Sequence, residues 1–160
     1  MAEPMPTAAG ELPRIVLDTN AVLDWLYFRD PRCATLAEAV TARRIRWIAS
    51  PAMREEIEHV LERGGLGTRW PEGPASVREG WQRWATMIEA TSALTPPALR
   101  CTDADDQMFI DLALGARAVA LLSADRAVLR LAPRASAWGL AITTVSAWRP
   151  ALPIAAAPAP

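Results

Sequence analysis

The stretch RIVLDTN, residues 14–20, carries a short apolar run directly into a carboxylate. The three aliphatic residues before Asp18 are typical of a buried strand, whereas Asp18 itself needs water, a proton or a cation. The same junction recurs in AVALLSAD, residues 118–125, where a near-continuous apolar run ends close to Asp125. Strands that are apolar on both faces are typical of parallel sheets covered by helices on both sides. The two junctions therefore predict an α/β fold whose strands deliver acids to one edge of the sheet.

Around these junctions, the apolar pattern alternates between strand and helix. The clearest helix spans residues 50–65, where Ser50 suits the N-cap, Pro51 suits the first position and a Gly pair follows the last turn. Further helices are predicted at residues 33–44, 75–90, 103–116 and 125–132, and strands at residues 14–17, 45–50, 118–123 and within 139–146. This alternation predicts a three-layer α/β/α architecture with a central, mostly parallel sheet.

The length of 160 residues suits one domain with a core of ordinary size. The Ala- and Pro-rich ends predict a flexible segment at residues 1–12, a folded domain at residues 13–148 and a Pro/Ala-rich tail at residues 149–160. The N-terminus lacks the basic start and apolar core of a secretory signal, and no run of about 18 apolar residues is present. A cytoplasmic protein without a membrane span is the expectation.

Composition argues against several kinds of chemistry. The single His59 is too few for a two-histidine ribonuclease or for most zinc sites, and Cys33 and Cys101 are too few for a disulfide framework. No glycine-rich nucleotide-binding motif follows a predicted strand.

All 17 basic residues are Arg, which coding bias explains, although Arg also suits phosphate recognition. Trp70, in the segment GTRWPEG, is a candidate for stacking on a base.

Four acids make up the predicted site. Asp18 and Asp125 follow strands, whereas Glu56 and Asp106 lie at the edge of the apolar stripes of their helices. Any strand-end Asp taken alone is explained as well by a turn or a helix cap, and a cap is the interpretation favoured for Asp103. It is the combination that favours a shared site. The remaining acids near these motifs are predicted to be solvated or to lie in turns: Asp24, Asp30, Glu55, Glu58, Glu62 and Asp111.

One difficulty concerns the helix that begins near Asp106. From periodicity alone, a helix leading into strand 118–123 is expected to start at the edge opposite the carboxyl end of that strand. The long excursion over residues 66–102 offers a way for the chain to re-enter the site from above. The placement of the third acid therefore stays open at this point.

A cluster of carboxylates is unstable without protons or cations. Two like charges about 4 Å apart repel by roughly 4 kcal/mol at an effective dielectric constant near 20. Oxygen ligands select hard cations such as Mg²⁺ or Mn²⁺, which activate water and stabilise charge on a phosphodiester. The net charge of −1 argues against a strongly basic nucleic-acid binder, but 14 of the 18 acids remain against 17 Arg once the four site acids are set aside. That balance is compatible with a polyanionic substrate.

The boxes RIVLDTN, REEIEHVL, DADDQMFIDLAL and AVALLSAD follow the order and approximate spacing of the PIN domain. Over residues 13–148 the chain resembles the branch of toxin components of prokaryotic toxin–antitoxin systems. The resemblance implies an α/β/α domain with a ribonuclease site that depends on Mg²⁺ or Mn²⁺. It also implies that the third acid converges on the others.

The resemblance implies roles for individual residues. The catalytic and metal-binding acids would be Asp18, Glu56, Asp106 and Asp125, supported by Asn20, Ser123 and Asp105. The register favours Asp106 over Asp105 as the third acid without deciding between them. RNA is the implied substrate and a small cognate antitoxin the implied protein partner. A homodimer, the number of metal ions and the RNA target are left open.

Three features depart from that branch. It commonly has Asp-Pro-Asp-Asp-Asp where this chain has Asp103-Ala104-Asp105-Asp106-Gln107, and a Gly or Asn where this chain has Ala124. The segment RGGLGTRWPEG is also longer than expected. None of these departures removes an acid, so they do not argue against the activity. They leave the choice of substrate open.

Two other functions compete with an endoribonuclease toxin. A PIN domain with little catalysis would serve as an RNA-binding or protein-interaction module, which the four acids argue against. A receiver-like phosphoacceptor also gathers acids at strand ends, but it needs a Lys after its last strand, and this chain contains no Lys. The leading interpretation is therefore a metal-dependent endoribonuclease of a toxin–antitoxin pair.

Overall fold

A computed structural model describes residues 11–64, 66, 72–89 and 95–150. Their centre is a parallel sheet of five strands in the order β3-β2-β1-β4-β5. The predicted base-stacking residue Trp70 lies outside the described residues, as do residues 1–10 and 151–160 of the predicted flexible ends. The strands are β1 (Arg14–Leu17), β2 (Arg46–Ala49), β3 (Ala85–Met87), β4 (Ala120–Leu122) and β5 (Ala141–Thr143).

Seven α-helices connect or follow these strands in the described parts of the chain. They are α1 (Thr19–Val22), α2 (Ala34–Thr41), α3 (Pro51–Arg63), α4 (Gly73–Trp84), α5 (Gln107–Gly115), α6 (Arg126–Leu129) and α7 (Ala132–Ala135). A π-helix (Leu23–Tyr27) continues α1, and short 3₁₀ turns lie at Pro31–Cys33, Pro97–Leu99, Ala104–Asp106 and Ser136–Trp138. No helix in the described ranges is long and apolar enough to cross a membrane.

The sheet is buried on both faces, which confirms the three-layer α/β/α prediction. Successive residues of a strand point to opposite faces, yet Ile15, Val16 and Leu17 are all at most 2% exposed. On one side of β2, Trp47 packs edge-on against Trp81 of α4. Helix α5 packs against β1 and β4 and also contacts α3. The apolar runs of the sequence are therefore central strands covered by helices.

The strand order changes direction between β1 and β4. Strands β2 and β3 lie on one side of β1, whereas β4 and β5 lie on the other. Strand β1 pairs on one side with β2 and on the other with β4, with Leu17 opposite Leu122. In parallel sheets, ligands bind outside the carboxyl ends of the strands at such a switch point. The residues that directly follow Leu17 and Leu122 are Asp18 and Ser123, so the predicted site falls at this position.

The predicted helix at residues 75–90 is wrong in its last third. Helix α4 ends at Trp84, and residues 85–87 form β3, whose Ala85 lies opposite Trp47 of β2. The apolar spacing that runs on to Ile88 suggested a longer helix. The N–H of Ile88 instead donates to the carbonyl of Ala49 at 2.9 Å, so pairing with the open edge of β2 outweighs local helical preference.

The expected position of the helix before β4 is also wrong. A helix that leads into a parallel strand runs antiparallel to it, so α5 begins at the carboxyl edge of the sheet and ends where β4 starts. The first four residues of the predicted helix 103–116 are a 3₁₀ turn with its cap, and α5 proper starts at Gln107. This places Asp106 beside the strand-end acids without any unusual crossover.

A candidate metal centre

Three carboxylates converge at the carboxyl edge of the sheet. One oxygen each from Asp103, Asp106 and Asp125 lies within 4.8 Å of the other two. Asp125 follows β4 and caps α6 by accepting from the N–H of Ala127 at 2.7 Å. Asp103 is exposed, whereas the other two are partly buried. Among the described residues this is the group of acids whose spacing suits a shared cation.

Asp106 carries the clearest sign of a missing partner. Its Oδ2 atom is buried and has no hydrogen-bond partner among the residues that the structure describes, a state that costs free energy unless a proton or cation is present. Burial raises the pKa of Asp106 to about 6, and the negative charges of Asp125, Asp103, Asp18 and Glu56 add to the effect. The orphaned oxygen faces an environment that already holds excess negative charge, which fits a divalent cation.

Asp18 is buried at the end of β1 and is 4% exposed. Its Oδ1 accepts from the N–H of Ala21 at 2.7 Å, which makes it the N-cap of α1. Burial raises its pKa to about 6, although the hydrogen bonds from Ser123 and Ala21 act in the opposite direction. Asp18 is therefore a helix cap, as one of the two interpretations of the sequence predicted. The negative charge of Asp125 nevertheless also raises the pKa of this carboxylate.

Ser123 connects the two strand-end acids. Its hydroxyl donates to Oδ2 of Asp18 at 2.5 Å, and its Oγ accepts from the N–H of Asp125 at 3.0 Å. Ser123 is 1% exposed, so neither contact competes with water. This residue fixes the orientation of Asp18 and the backbone of Asp125 together.

Glu56 reaches the site from α3. It is partly buried, and its Oε2 accepts from the hydroxyl of Thr19 at the start of α1. Its charge contributes to the raised pKa of Asp106. Asn20, the residue after Thr19, is exposed on α1. Glu56 therefore borders the site, while Asn20 lies on the outer surface of the helix beside it.

The 3₁₀ turn decides which acids of the DADD box face the site. Asp103 is the extended N-cap of the turn Ala104–Asp106, and its carboxylate lies on the same side of that turn as the carboxylate of Asp106. Asp105 is exposed, and its N–H donates to the Asp103 carboxylate at 3.0 Å. The favoured interpretation of Asp103 as a helix cap is confirmed, but the same carboxylate also belongs to the acid group. The i, i+3 spacing was the signal that could have included it.

Gln107 fastens the segment before the acid turn to α5. Its Oε1 accepts from the N–H of Cys101 at 2.6 Å, and its Nε2 donates to the carbonyl of Leu99 at 3.2 Å and to Asp111 at 2.9 Å. The hydroxyl of Thr95 also donates to Asp111. Asp111 is therefore not the solvated acid that the sequence predicted, but a partly buried acceptor that anchors this segment.

Comparison with known proteins identifies a family and a solved structure of similar fold. The family model for the PIN domain matches residues 14–127. Among solved structures, a chain in the crystal structure of VapBC2 from Rickettsia felis bound to a DNA fragment from their promoter is similar to this one. The match covers 81% of this chain and 96% of that one at 10% identity, with a TM-score of 0.52. No curated protein sequence matches this chain. From the family match over most of its length, the chain belongs to the PIN domain family.

Proposed function

We propose that this protein is a metal-dependent endoribonuclease and the toxin of a toxin–antitoxin pair. The observation that carries the proposal is the orphaned, buried Oδ2 of Asp106 within a group of carboxylates at the sheet's switch point. Membership of the PIN domain family supports it. Single-stranded RNA is the proposed substrate, and a small antitoxin is the proposed protein partner.

Asp106 and Asp125 would hold Mg²⁺ or Mn²⁺, with Asp103 on the exposed side and Asp18 and Glu56 bordering the site. A bound divalent cation lowers the pKa of water and stabilises the charge that develops on a phosphodiester. The protein's own contribution is to aim these oxygens before substrate arrives. Ser123 does this for Asp18 and Asp125, and Thr19 does it for Glu56. Asn20 is proposed to have a supporting role, whereas Asp105, which is exposed and outside the acid group, serves as the comparison for Asp106.

Protons compete with the cation for the same oxygens. The pKa values of Asp18 and Asp106 are both raised to about 6, so each carboxyl holds a proton for part of the time near neutral pH. Cation binding requires the deprotonated form. Affinity for Mn²⁺ is therefore proposed to increase as the pH rises from 5 to 7.

A cleavage assay with paired variants tests the proposal. A fluorescent single-stranded RNA is incubated with the protein in Mn²⁺ and in EDTA. Asp106→Asn is expected to lower the cleavage rate by two orders of magnitude or more, which is about 2.7 kcal/mol of barrier. Asp105→Asn is expected to keep most of the parent's cleavage rate. Glu56→Gln is paired in the same way with Glu55→Gln, because Glu55 is exposed on the same helix.

The outcomes separate the competing functions. If Asp105→Asn and Asp106→Asn lose the same amount of cleavage activity, the assignment of Asp106 as the third acid is wrong. RNA binding without cleavage in any metal would instead support a PIN domain that acts as a binding module. For the toxin assignment, expression of the protein should arrest growth of its host, and co-expression of a short neighbouring gene should restore growth.

A further inference from the structure

The C-terminal part of the chain is basic, although the whole chain is not. From residue 126 to residue 160 the sequence contains four Arg and no Asp or Glu. Three of these, Arg126, Arg130 and Arg134, recur every four residues directly after Asp125. We call these three residues the arginine stripe. A charge imbalance confined to one segment is the footprint of a polyanion-binding surface.

The arginine stripe lies on one side of a nearly continuous helical ribbon. The two residues that join α6 to α7, Arg130 and Leu131, both have right-handed helical backbone angles. All three arginines are exposed. The residues on the other side of the ribbon are buried in the core: Val128, Leu131 and Ala135. The guanidinium groups are therefore directed away from the core along a single face.

The charges of the arginine stripe are not used within the described structure. Four other arginines form ion pairs there, namely Arg32, Arg44, Arg54 and Arg78. No ion pair or side-chain hydrogen bond in the described ranges involves a stripe residue. Their charge is thus available to a ligand, and Arg presents a planar fork that suits phosphate oxygens.

The arginine stripe begins at the proposed cleavage site and leads away from it. Arg126 is the residue after Asp125, whose carboxylate belongs to the acid group. Four residues of helix advance by about 6 Å, a step comparable to that between successive phosphates of an extended single strand. At the far end, α7 contacts the turn Pro97–Leu99, which is followed by Arg100, another exposed arginine.

We propose that the arginine stripe binds the phosphate backbone of single-stranded RNA on one side of the scissile phosphate. This inference rests on the proposed nuclease function and adds the path of the substrate. An acidic protein segment would also suit three arginines. RNA is favoured because the stripe is continuous with the acid group, so one polymer occupies both, and because the spacing along the ribbon follows a polymer of regularly spaced charges.

Salt dependence of RNA binding tests the path. A fluorescein-labelled single-stranded RNA is titrated in EDTA, which prevents cleavage, and anisotropy gives Kd over a series of salt concentrations. Each phosphate contact contributes about 0.7 to the slope of log Kd against log salt for single strands. The double variant Arg130→Gln/Arg134→Gln is expected to lower this slope by about 1.4 and to weaken binding at least tenfold in low salt.

A matched control comes from the opposite edge of the sheet. Arg43 precedes β2 and Arg117 precedes β4, and both are exposed. The double variant Arg43→Gln/Arg117→Gln removes the same charge, so it should leave the slope close to that of the parent. Thermal melts of both double variants verify that they fold.

Each outcome decides between the inferences. Equal slopes for the two double variants would overturn the path along the arginine stripe, and so would an unchanged slope in the stripe variant while the parent still cleaves RNA in Mn²⁺. A parent that neither binds nor cleaves RNA removes the proposed function and the path with it. If poly-glutamate of matched charge competes better than RNA, and only for the intact stripe, the partner is an acidic polypeptide and the RNA path is wrong.

Discussion

Asp18 combines two roles that different substitutions can separate. Asn can still cap α1 but carries no charge, whereas Ala does neither. We expect the metal-free Asp18→Asn protein to be at least as stable as the parent at pH 7, because it removes a buried charge near Asp125. Asp18→Ala should be less stable than Asp18→Asn by about 1 kcal/mol. Urea unfolding in EDTA measures the free energy of unfolding of both variants. If they are destabilised equally, the buried charge of Asp18 does not destabilise the metal-free parent.

The raised pKa values have a consequence for the stability of the metal-free protein. A carboxyl whose pKa is higher in the folded than in the unfolded state binds more protons when folded, so the free energy of unfolding falls as the pH rises through that window. For Asp18 the window runs from 3.8 to about 6, which corresponds to about 3 kcal/mol. Asp106 acts in the same direction, with a smaller effect because the residue is only partly buried and water screens its charge.

We therefore expect the metal-free protein to unfold at a higher urea concentration at pH 5 than at pH 7. The Asp18→Asn variant should show a smaller difference, because it lacks one of the two titrating groups. Excess Mn²⁺ should reverse the trend, since the cation needs the deprotonated carboxylates. Stability that increases steadily from pH 5 to pH 7 in EDTA would contradict the burial of these acids.

At the scale of elements, Gln107 is the contact that holds the segment before the acid turn. Gln107→Leu leaves the N–H of Cys101 without its acceptor and the carbonyl of Leu99 without its donor, an expected loss of about 1–3 kcal/mol. Gln107→Glu keeps the acceptor but places a second carboxylate beside Asp111, so its loss should shrink at low pH. Gln82→Leu, at an exposed position of α4, is the control. Equal urea midpoints for Gln107→Leu and Gln82→Leu would mean that these bonds contribute nothing.

The packing of α4 depends on a glycine. A Cβ added at Gly73 would lie 2.3 Å from Cε2 of Tyr27 in the π-helix, and a ring cannot move aside easily. Gly73→Ala should therefore destabilise the protein by about 1–3 kcal/mol through overpacking. Gly80→Ala meets the flexible methyl groups of Leu26 and gains helix propensity, about 1 kcal/mol, so its cost should be smaller. A more stable Gly73→Ala protein would show that the α4 contact is loose.

Elements with strong local signals were predictable. Strand β1 matches residues 14–17 fully, and α3 has the predicted Ser50 cap, with its hydroxyl accepting from the N–H of Met53, and ends at Gly64 in a left-handed conformation. Strand β3 was not predictable, because its three residues have a partner only once β2 presents an open edge. The π-helix at Leu23–Tyr27 was also missed, since no local pattern distinguishes it from an irregular apolar segment.

The candidate site was predictable to a similar degree. The acids at strand ends follow from the apolar junctions, and Asp106 follows from its helix. The inclusion of Asp103 depends on a 3₁₀ turn, and the role of Ser123 depends on the register between β1 and β4. Both are properties of the assembled sheet rather than of the local sequence.

For the whole molecule, a cation should act as a stabilising ligand. Binding to the folded state alone stabilises it by about 2.7 kcal/mol when the free ligand is at a hundredfold excess over Kd. We expect Mn²⁺ to raise the thermal midpoint of the parent, and to raise that of Asp106→Asn much less. Calorimetric titration gives Kd independently. No heat and no shift at millimolar Mn²⁺ would exclude the proposed metal centre.

The hydrogen bond from Ser123 to Asp18 spans 105 positions in the sequence, and this has a consequence for biosynthesis. On the ribosome, β1 emerges before the other four strands, whereas β4 and Asp125 emerge only after most of the domain has been translated. A nascent or prematurely terminated chain that stops before residue 120 has no β4 to pair with β1. A chain that stops before residue 123 also lacks the hydroxyl that fixes the orientation of Asp18. The proposed cleavage centre would therefore be assembled only after β4 and Asp125 have left the ribosome, so fragments that end before them would lack it.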